Sequence, residues 1–393
     1  MRSFLMTSLA CLLWASSVEA QQTTPPEWPP LEYMGTDGIF HQQHAVMDID
    51  DRDVRHVAYT GYGTCEDWLC GVYYQSSADG INWSDAVLIP GSEDVGFLVS
   101  AQVAGAPGGR AYIAWFGSGG LRVTWTDDRG VSFALPVQAA PGVPGGLELG
   151  MKVDRWGGLH CVWFTNFADR VVYYVRSLPQ SVGVFSGPGP DLVFLPAQGI
   201  WTDTGDWGAG NTQVDVDAAG YVTVVCFILD AILVTRCYQG LAFPEPTLLT
   251  PDDQPTSPHL AVSPEGPITI VFTMDVDYRP RVFSFVSMDG TTFEGPFRHT
   301  TKQGVTNLRR CVRFGPGGLV FAAWYEEWRG KGALVTHLTY AESRDYGRSF
   351  PRRDFVADSL ELPGHGSDPN LAVTSDLVRC ILSGGLYYTQ STR

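Results

Sequence analysis

The stretch "SRDYGRSF", Ser343 to Phe350, is a short polar turn that ends in an aromatic ring. A near copy, "TDDRGVSF", stands at Thr126 to Phe133, and the shorter versions "SADGINW" and "SMDGTTF" stand elsewhere in the chain. In such a turn the aspartate accepts backbone N–H bonds, the hydroxyl adds a local bond, and glycine permits positive φ. One turn written four times predicts a repeated structural unit. The residues that share these roles are Ser77, Asp79, Gly80 and Trp83; Thr126, Asp128, Gly130 and Phe133; Ser287, Asp289, Gly290 and Phe293; and Ser343, Asp345, Gly347 and Phe350.

The aromatic rings that close the turns give the length of the repeat. With two degenerate turns included, the rings recur every 50 to 58 residues, at Trp28, Trp83, Phe133, Phe185, Phe243, Phe293 and Phe350. Two short β-branched and aromatic runs precede each turn, such as "VFAAW" and "LTY", and a further run such as "TQVDVD" precedes those. Four strands in about 50 residues are typical of a propeller blade.

The two ends of the chain share one unit. The sequence stops after the third strand of the seventh unit, and the unpaired N-terminal stretch "WPPLEYM" can supply the fourth strand. We therefore predict an all-β fold, a seven-bladed β-propeller with four-stranded blades, and six blades as the alternative. Joining the two ends closes the ring and leaves no open strand edge between the first and last blades.

The N-terminal residues predict export. "MRSFLMTSLACLLWASSVEA" combines one arginine, an apolar run and a small-residue cleavage pattern, so residues 1–20 are interpreted as a secretory signal peptide. Residues 21–393 then form a single propeller domain, secreted or periplasmic, without stable membrane insertion. The net charge of −16 disfavours binding to nucleic acid or to an anionic membrane. The oligomeric state stays open.

The cysteines suggest disulfides rather than metal binding. Export permits disulfides, and "CEDWLC" predicts a bond between Cys65 and Cys70. Cys226 and Cys237 flank a predicted hairpin and are the second candidate pair. The other mature cysteines lie in apolar strand patterns and are predicted to be small buried residues. No spacing resembles a zinc site, and neither a metal nor a cofactor is expected.

The turns resemble the Asp-box, S/T-x-D-x-G-x-T/S-W/F, of the sialidase-like β-propellers (the BNR repeat), and two copies match it in full. The resemblance implies that the turns join the third and fourth strands, on the face away from the active site. The ligand site then lies on the opposite face, among the loops between second and third strands and the loops that lead into first strands. Fold alone does not decide the activity.

Two stretches predicted on that face combine aromatic and charged residues. "GIWTDTGDWGAGN" pairs tryptophans with aspartates, and "WYEEWRGKG" crowds aromatics, carboxylates and cations. Aromatic platforms beside polar groups suit sugar rings. The predicted substrate-binding residues are Trp201, Asp203, Asp206, Trp207, Arg279, Arg309, Arg310, Trp328 and Arg329. The candidate catalytic residues are Glu326, Glu327, Tyr325, Tyr278, Asp275 and His44.

These residues leave three functions open for a protein whose expected partner is an extracellular glycan or glycoprotein. A glycosidase needs two carboxyl groups, or, as the sialidase resemblance implies, a Tyr–Glu pair with three arginines that hold a carboxylate. Some propellers of the same superfamily are polysaccharide lyases that use His and Tyr beside a uronate, for which His44 is the candidate. The sialidases' N-terminal Arg-Ile-Pro motif is absent and sialidases have six blades, so a non-catalytic interaction scaffold is the third reading. His56 and His160 occupy equivalent repeat positions, which predicts a shared packing role.

Overall fold

The computed structural model describes 28, 32–34, 40–62, 70–93, 101–146, 148–165, 170–178, 192–202, 209–228, 231–250, 254–277, 279–300, 305–329, 334–358, 369–376, 379–383 and 387–391. These residues form seven four-stranded antiparallel sheets and one short 3₁₀ turn, Pro316–Gly318, with no α-helix among them. None of the described segments is a helix long and apolar enough to cross a membrane. The predicted signal peptide lies outside the described residues.

The strands follow the order of the repeat. Sheet one contains β2 (Phe40–Ile49), β3 (Arg55–Tyr62), β4 (Cys70–Ser77) and β5 (Val87–Leu88); sheet two contains β6 (Gln102–Ala106), β7 (Arg110–Gly117), β8 (Gly120–Thr126) and β9 (Val137–Gln138). Sheet three contains β10 (Leu149–Val153), β11 (Leu159–Phe164), β12 (Val171–Arg176) and β13 (Gln198–Thr202); sheet four contains β14 (Ala209–Val216), β15 (Tyr221–Ile228), β16 (Ala231–Tyr238) and β17 (Thr247–Leu249).

Sheet five contains β18 (Pro255–Val262), β19 (Ile268–Val276), β20 (Arg279–Ser287) and β21 (Glu294–Arg298); sheet six contains β22 (Val305–Phe314), β23 (Val320–Arg329), β24 (Leu334–Ser343) and β25 (Arg352–Asp358). Sheet seven contains β26 (Asn370–Val373), β27 (Arg379–Ser383), β28 (Tyr387–Ser391) and, as its fourth strand, β1 (Glu32–Tyr33). First strands contact the first strands of neighbouring sheets, and β26 contacts β2, so the sheets form a ring. The predicted seven-bladed propeller is confirmed.

The two chain ends close the ring as predicted. Glu32 pairs with Tyr388 and Tyr33 pairs with Tyr387, which makes the N-terminal strand the outer strand of sheet seven. Tyr388 is buried between sheets seven and one, where its ring meets that of Trp83 at 5.0 Å in an edge-to-face contact. Sheet seven therefore combines three strands from the C-terminal part of the chain with one strand from the N-terminal part.

The aromatic rings of the turns join neighbouring sheets. Phe133 of sheet two packs edge-to-face on Tyr74 of sheet one, and Phe243 of sheet four packs in the same way on Tyr174 of sheet three. Trp28 does the same on Tyr340 of sheet six. Such pairs add to the burial of apolar area that holds the sheets together. The rings are architectural, as the sequence predicted.

The hydrogen bonds of the turns match their predicted roles. In sheet two, Asp128 Oδ1 accepts the backbone N–H of Ser132 at 2.9 Å, and Thr126 Oγ1 accepts the N–H of Gly130 at 2.8 Å. Gly130 has φ +90°, which favours glycine at this position. Asp79, Asp289 and Asp345 accept backbone N–H bonds in the same manner.

In the third unit, the aromatic ring at the end of the turn differs from the one predicted. Phe185 lies outside the described residues, whereas Phe194 pairs with Ser177 as Trp83 pairs with Ser77, and it packs on the core between sheets two and three. Phe194 is therefore the structural equivalent of the other rings in the third unit.

One predicted disulfide is wrong. Cys226 faces Leu233 and Cys237 faces Val222 across the β15–β16 hairpin, so the two thiols lie at different levels, and both are free and buried. Cys65 lies outside the described residues, so the Cys65–Cys70 bond stays a prediction. The remaining cysteines are free and buried as predicted: Cys161, Cys311 and Cys380.

His56 and His160 share a buried hydrogen-bond arrangement, which confirms their packing role. His160 Nδ1 meets the Tyr174 hydroxyl at 2.6 Å, and Nε2 meets Asp154 Oδ2 at 3.2 Å. His56 repeats this with Tyr74 at 2.6 Å and Asp50 at 3.0 Å. Because all these side chains are buried, neither histidine is placed to touch a substrate.

Acid is expected to destabilise the protein because its turn carboxylates have lowered pKa values. Burial raises the pKa of Asp128, but hydrogen bonds from Ser132 and Thr126 outweigh it and hold the pKa below the ordinary 3.8. Asp345 behaves alike. A lowered folded-state pKa stabilises above pH 3.8, and that contribution is lost as the pH falls through the folded-state value.

Thermal unfolding followed by circular dichroism between pH 7 and pH 2.5 should therefore show a melting temperature that drops below about pH 4. Asp128→Asn should lower the melting temperature at pH 7 and flatten its dependence on pH. A melting temperature that stays constant down to pH 3 would contradict this account.

Candidate functional site

The connections at the two ends of the sheets differ. The turns with hydrogen-bonded aspartates join third and fourth strands at one end, here called the turn face. The hairpins between second and third strands, such as those of β19–β20 and β23–β24, lie at the other end, here called the loop face. Antiparallel pairing places successive connections at opposite ends. The predicted site therefore belongs to the loop face.

Several predicted site residues have no described side chain. Tyr278, Asp203, Asp206 and Trp207 lie outside the described residues. For six more, only the backbone position is given: His44 lies in β2, Arg309 and Arg310 lie in β22, and Glu327, Trp328 and Arg329 end β23.

Two predicted aromatic residues belong to the packed framework. Trp201 lies in β13, the outer strand of sheet three, pairs with Val172 and packs on the core between sheets three and four. Tyr325 is only 7% exposed and packs with Leu338 and Leu371 between sheets six and seven. Neither ring is presented openly at the loop face.

The β19–β20 hairpin carries charges at its exposed tip. Asp275 and Arg279 are exposed near this tip, and Asp277 turns the chain with φ +53°. Arg281, two residues along β20, is buried beside them. Arg298 lies at the end of β21, where its Nε donates to the carbonyl of Thr300 at 2.9 Å. Sheet five thus gathers several charged groups at its loop-face end.

Two neighbouring arginines act on the buried Arg281. Burial lowers the pKa of Arg281, the positive charges of Arg298 and Arg279 lower it further, and the negative charges of Asp277 and Glu326 oppose this. Arg279, Arg281 and Arg298 are named here the arginine cluster. Like charges held together raise the local positive potential and favour an anion there.

Glu326, in β23 of sheet six, is close enough to sheet five for its negative charge to act on Arg281. Trp324 Nε1 donates to Glu326 Oε1 at 2.8 Å, which fixes the carboxylate. Arg353 lies 6.0 Å above the Trp324 ring and donates through Nη2 to the carbonyl of His299. Burial lowers the pKa of Arg353, while the negative charge of Glu326 opposes that change. The carboxylate is thus oriented by an indole, and its negative charge acts on Arg281 of sheet five and Arg353 of sheet six.

A buried serine and histidine nearby do not form a nucleophile. Ser284 Oγ donates to the carbonyl of Gly347 at 2.6 Å, so His299 Nε2, at 2.8 Å, donates to Ser284. Burial lowers the pKa of His299 to about 3, which keeps the imidazole neutral. Because His299 holds a proton on that nitrogen, it cannot accept the serine proton.

A second polar group lies where the first strands of sheets three, four and five begin. The backbone N–H of Asn211 donates to Glu148 Oε2, and the Asn211 amide joins the Glu148 carboxylate, at 3.2 Å, to the Ser257 hydroxyl, at 2.7 Å. Asn211 and Ser257 both have positive φ, at irregularities in β14 and β18. Carboxylate, amide and hydroxyl groups can exchange hydrogen bonds with sugar hydroxyls.

Sequence reasoning found part of this site. It named Glu326, Asp275 and Arg279, which the structure places at the loop-face ends of sheets five and six. It missed the contribution of Arg298 and Arg353, which lie in outer strands, and the whole Glu148–Asn211–Ser257 group. The available signals were an arginine at the loop-face end of β21, an arginine near the start of β25, and an asparagine in a strand that positive φ interrupts. No group of three or more His, Cys, Asp or Glu side chains in the described part is placed to hold a metal ion.

No protein-family model matches the sequence, and a comparison with curated proteins also finds no match. Among solved structures, the chain is similar to a PL25 ulvan lyase solved bound to -[GlcA(1-4)Rha3S]-, with TM-score 0.56, 11% identity, and coverage of 92% of this chain and 95% of that chain. It also aligns with a protein of unknown function from Dyadobacter fermentans, with TM-score 0.49, 12% identity, and coverage of 92% and 98%. A leech intramolecular trans-sialidase aligns with TM-score 0.46, 11% identity, and coverage of 98% and 72%.

At such low identity the likeness shows the fold and does not assign an activity. The likeness to the ulvan lyase extends over nearly the full length of both chains. The chain is a seven-bladed β-propeller, and its fold is similar to that of the ulvan lyase.

Proposed function

We propose that the protein is an exported propeller that binds extracellular glycans bearing carboxylate or sulfate groups at the loop face of sheets five and six. The observation that carries this proposal is the arginine cluster. A chain with net charge −16 concentrates Arg279, Arg281 and Arg298 at one place. Guanidinium groups bind carboxylates and sulfate-like anions through paired, charge-assisted hydrogen bonds.

The rigidity of the site supports the proposal. Arg281 is buried, and its Nη1 donates to the carbonyl of Pro280 at 3.1 Å, so little side-chain freedom is left to lose on binding. Glu326, held by Trp324, supplies an acceptor for the hydroxyls of the same sugar. The site therefore offers both signs of charge to a ring that carries an anionic group and hydroxyls.

Glycan cleavage is the finer form of this proposal. Hydrolysis needs a second carboxyl group opposite Glu326, for which Asp275 and Asp277 are available on the β19–β20 hairpin. The sialidase alternative needs a tyrosine beside the glutamate, and Tyr325 is buried toward sheet seven instead. Glu326 is therefore the residue whose replacement tests for hydrolysis.

Polysaccharide lyase activity is the second candidate. It is favoured by the fold shared with the ulvan lyase, which was solved bound to a glucuronate-containing saccharide. A lyase needs a base beside the uronate and a group that neutralises its carboxylate. His44, whose backbone lies in β2, is the candidate base, and the arginine cluster is the candidate neutralising group.

Residues 1–20 are proposed as the signal peptide and residues 21–393 as one exported domain. Export supports a glycan partner outside the cytoplasm. The interaction-scaffold function remains the outcome to expect if no glycan binds.

Replacing Arg279 and Arg298 by alanine is expected to weaken binding to polygalacturonate by roughly tenfold for each arginine, because hydrogen bonds to charged groups contribute about 1.5–3 kcal/mol. The measurement is affinity electrophoresis in gels that contain polygalacturonate, heparin or neutral hydroxyethylcellulose. Both side chains are exposed, so the fold should persist.

Arg52→Ala, an exposed arginine in the β2–β3 turn at the turn face, is the matched control and should bind like the wild type. Equal retention of the double variant and the wild type in both anionic gels would remove the proposed site. Retention of the wild type by none of the polymers would favour the scaffold function. Glu326→Gln tests cleavage separately. If the wild type releases reducing ends from polygalacturonate, this variant should release none while it is still retained in the polygalacturonate gel.

A further inference from the structure

Three aromatic side chains meet on the turn face, at the opposite end of the sheets from the arginine cluster. Trp156 lies in the turn between β10 and β11 of sheet three. Tyr221 begins β15 and Tyr238 ends β16 of sheet four, and the two pair directly across the strands. Together they are named here the aromatic platform. None of them belongs to the site described above.

The platform is fixed by close packing across two sheets. Gly220 has φ +91°, and a Cβ added to it would lie 2.9 Å from two ring carbons of Trp156 and 3.7 Å from the ring of Tyr238. The indole therefore rests directly on the Gly220 backbone, beside the Tyr238 ring. The Tyr221 and Tyr238 rings meet edge-to-face at 5.5 Å. The two tyrosine rings and the indole thus lie around Gly220, with the Arg155 guanidinium over the indole.

The aromatic platform is open to solvent. Tyr221 is 43% exposed and Tyr238 is 49% exposed, which is high for rings that pack on one another. Removing aromatic surface from water is favourable in free energy. Rigid rings that remain exposed are therefore suited to stack against the apolar face of a ligand. Their fixed geometry means that little conformational freedom would be lost on binding.

Polar groups surround the rings. The Arg155 guanidinium lies 4.3 Å from the Trp156 ring centroid, and no carboxylate of the described chain forms a salt bridge with it. Gln239 Nε2 donates to the Tyr238 hydroxyl at 3.3 Å. Arg236 lies 4.9 Å from the Tyr221 ring centroid and pairs with Asp217, so its position is fixed. Arg155 is thus the cation left to meet a ligand.

We propose that the aromatic platform is a second carbohydrate-binding site, which takes one or two pyranose rings of an anionic glycan. The apolar face of a pyranose stacks on aromatic rings, while its hydroxyls and carboxylate meet donors at the edge, here Gln239 and Arg155. Three rings are too small an area for a stable protein interface, which needs about 800 Å² from each partner.

The two sites face away from each other across a rigid ring. A glycan segment on the turn face and another on the loop face would engage one protein at once, so a polymer would be held by avidity. The aromatic platform does not depend on the loop-face proposal, because it shares no residue with the arginine cluster.

The test uses Trp156→Ala and Tyr238→Ala, each made in the full-length protein and in the Arg279→Ala, Arg298→Ala background. In both backgrounds, retention by polygalacturonate in affinity electrophoresis should weaken roughly five- to tenfold, as expected for a central aromatic contact. Phe355→Ala removes a ring that is 62% exposed on the outer strand of sheet six and is the matched control, with no change expected. Trp156→Phe should retain part of the binding.

Melting temperatures within a few degrees of the wild type must accompany these results, and Tyr238→Ala is suited to this because its side chain is half exposed. Unchanged retention of both alanine variants in both backgrounds overturns the aromatic platform. Arg155→Ala should weaken binding to polygalacturonate and leave hydroxyethylcellulose unaffected; equal loss with both polymers overturns the preference for an anionic sugar. If the Arg279→Ala, Arg298→Ala variant loses binding to polygalacturonate while Trp156→Ala and Tyr238→Ala, made in the wild type, bind normally, the loop-face proposal stands and the aromatic platform is overturned.

Discussion

Replacing Tyr388 by alanine is expected to lower the free energy of unfolding by about 3–5 kcal/mol, the range for removing a large buried aromatic side chain. Tyr388 is 2% exposed and contacts Trp83 across the boundary at which the ring closes. Its backbone also pairs with Glu32 of the N-terminal strand. The cavity would therefore open where the two chain ends meet, and chemical denaturation followed by fluorescence measures the change.

Tyr388→Phe is the control for this prediction. The Tyr388 hydroxyl donates to Gln390 at 2.8 Å and lies 3.2 Å from Cys380, so its loss should cost only about 1 kcal/mol. A large difference between the two variants is expected because the ring carries the packing. If alanine and phenylalanine destabilise equally, the contact with Trp83 does not hold the closure together.

Asp154→Ala is expected to destabilise the protein by about 3–5 kcal/mol, because a hydrogen-bond donor left without an acceptor in the interior costs about 1–3 kcal/mol and Asp154 serves several of them. Asp154 Oδ1 accepts the backbone N–H groups of Trp156 and Gly158, both at 2.8 Å, and Oδ2 meets His160. Burial raises the pKa of Asp154, but these hydrogen bonds hold it below 3.8. Alanine would leave all three donors unsatisfied in the core, and thermal or chemical denaturation at pH 7 measures this.

Asp154→Asn separates the charge from the hydrogen bonds. Its amide oxygen can still accept the turn N–H bonds, and its NH₂ can donate to a histidine in the other tautomer, so the cost should be about 1–2 kcal/mol. As the pH falls toward 3 the wild type should approach the stability of the asparagine variant. A wild-type advantage that is the same at pH 7 and pH 3 would show that the carboxylate charge is not what stabilises this turn.

The architecture was predictable because each blade repeats the same physical problem. Every sheet needs a ring to fill the gap to its neighbour, so Trp83, Phe133 and Phe243 recur at one place in the repeat. The third unit is the exception, because Phe194 rather than the predicted Phe185 lies at this place. Spacing alone cannot identify such a ring, because packing selects the residue that reaches the neighbouring sheet.

The error at Cys226 and Cys237 has a different origin. Hairpin pairing depends on which residues turn the chain, and a shift in register changes every facing pair. The sequence shows two cysteines on adjacent strands, whereas the structure pairs them with Leu233 and Val222. Disulfide geometry requires close Cα atoms, and only the register decides that.

The candidate site was only partly predictable, since its residues come from strands far apart in the chain. The negative charge of Glu326 in β23 of sheet six acts on Arg281 in β20 of sheet five. Asn211 joins Glu148 to Ser257 across three sheets. Radial packing brings these groups together, and no local pattern marks them. Trp201 was predicted from the sequence as a binding residue, but its ring is partly buried and packs against the core between sheets three and four.

By itself the sequence determined the repeat, the number of blades and the joining of the two ends, because these follow from the spacing of strands and rings along the chain. Only the tertiary structure decided which charged and aromatic groups meet: the arginine cluster beside Glu326, and the aromatic platform on Gly220. The reason is physical. Strand formation and turn geometry depend on neighbours in sequence, whereas electrostatic and stacking contacts depend on distances that the closed ring sets.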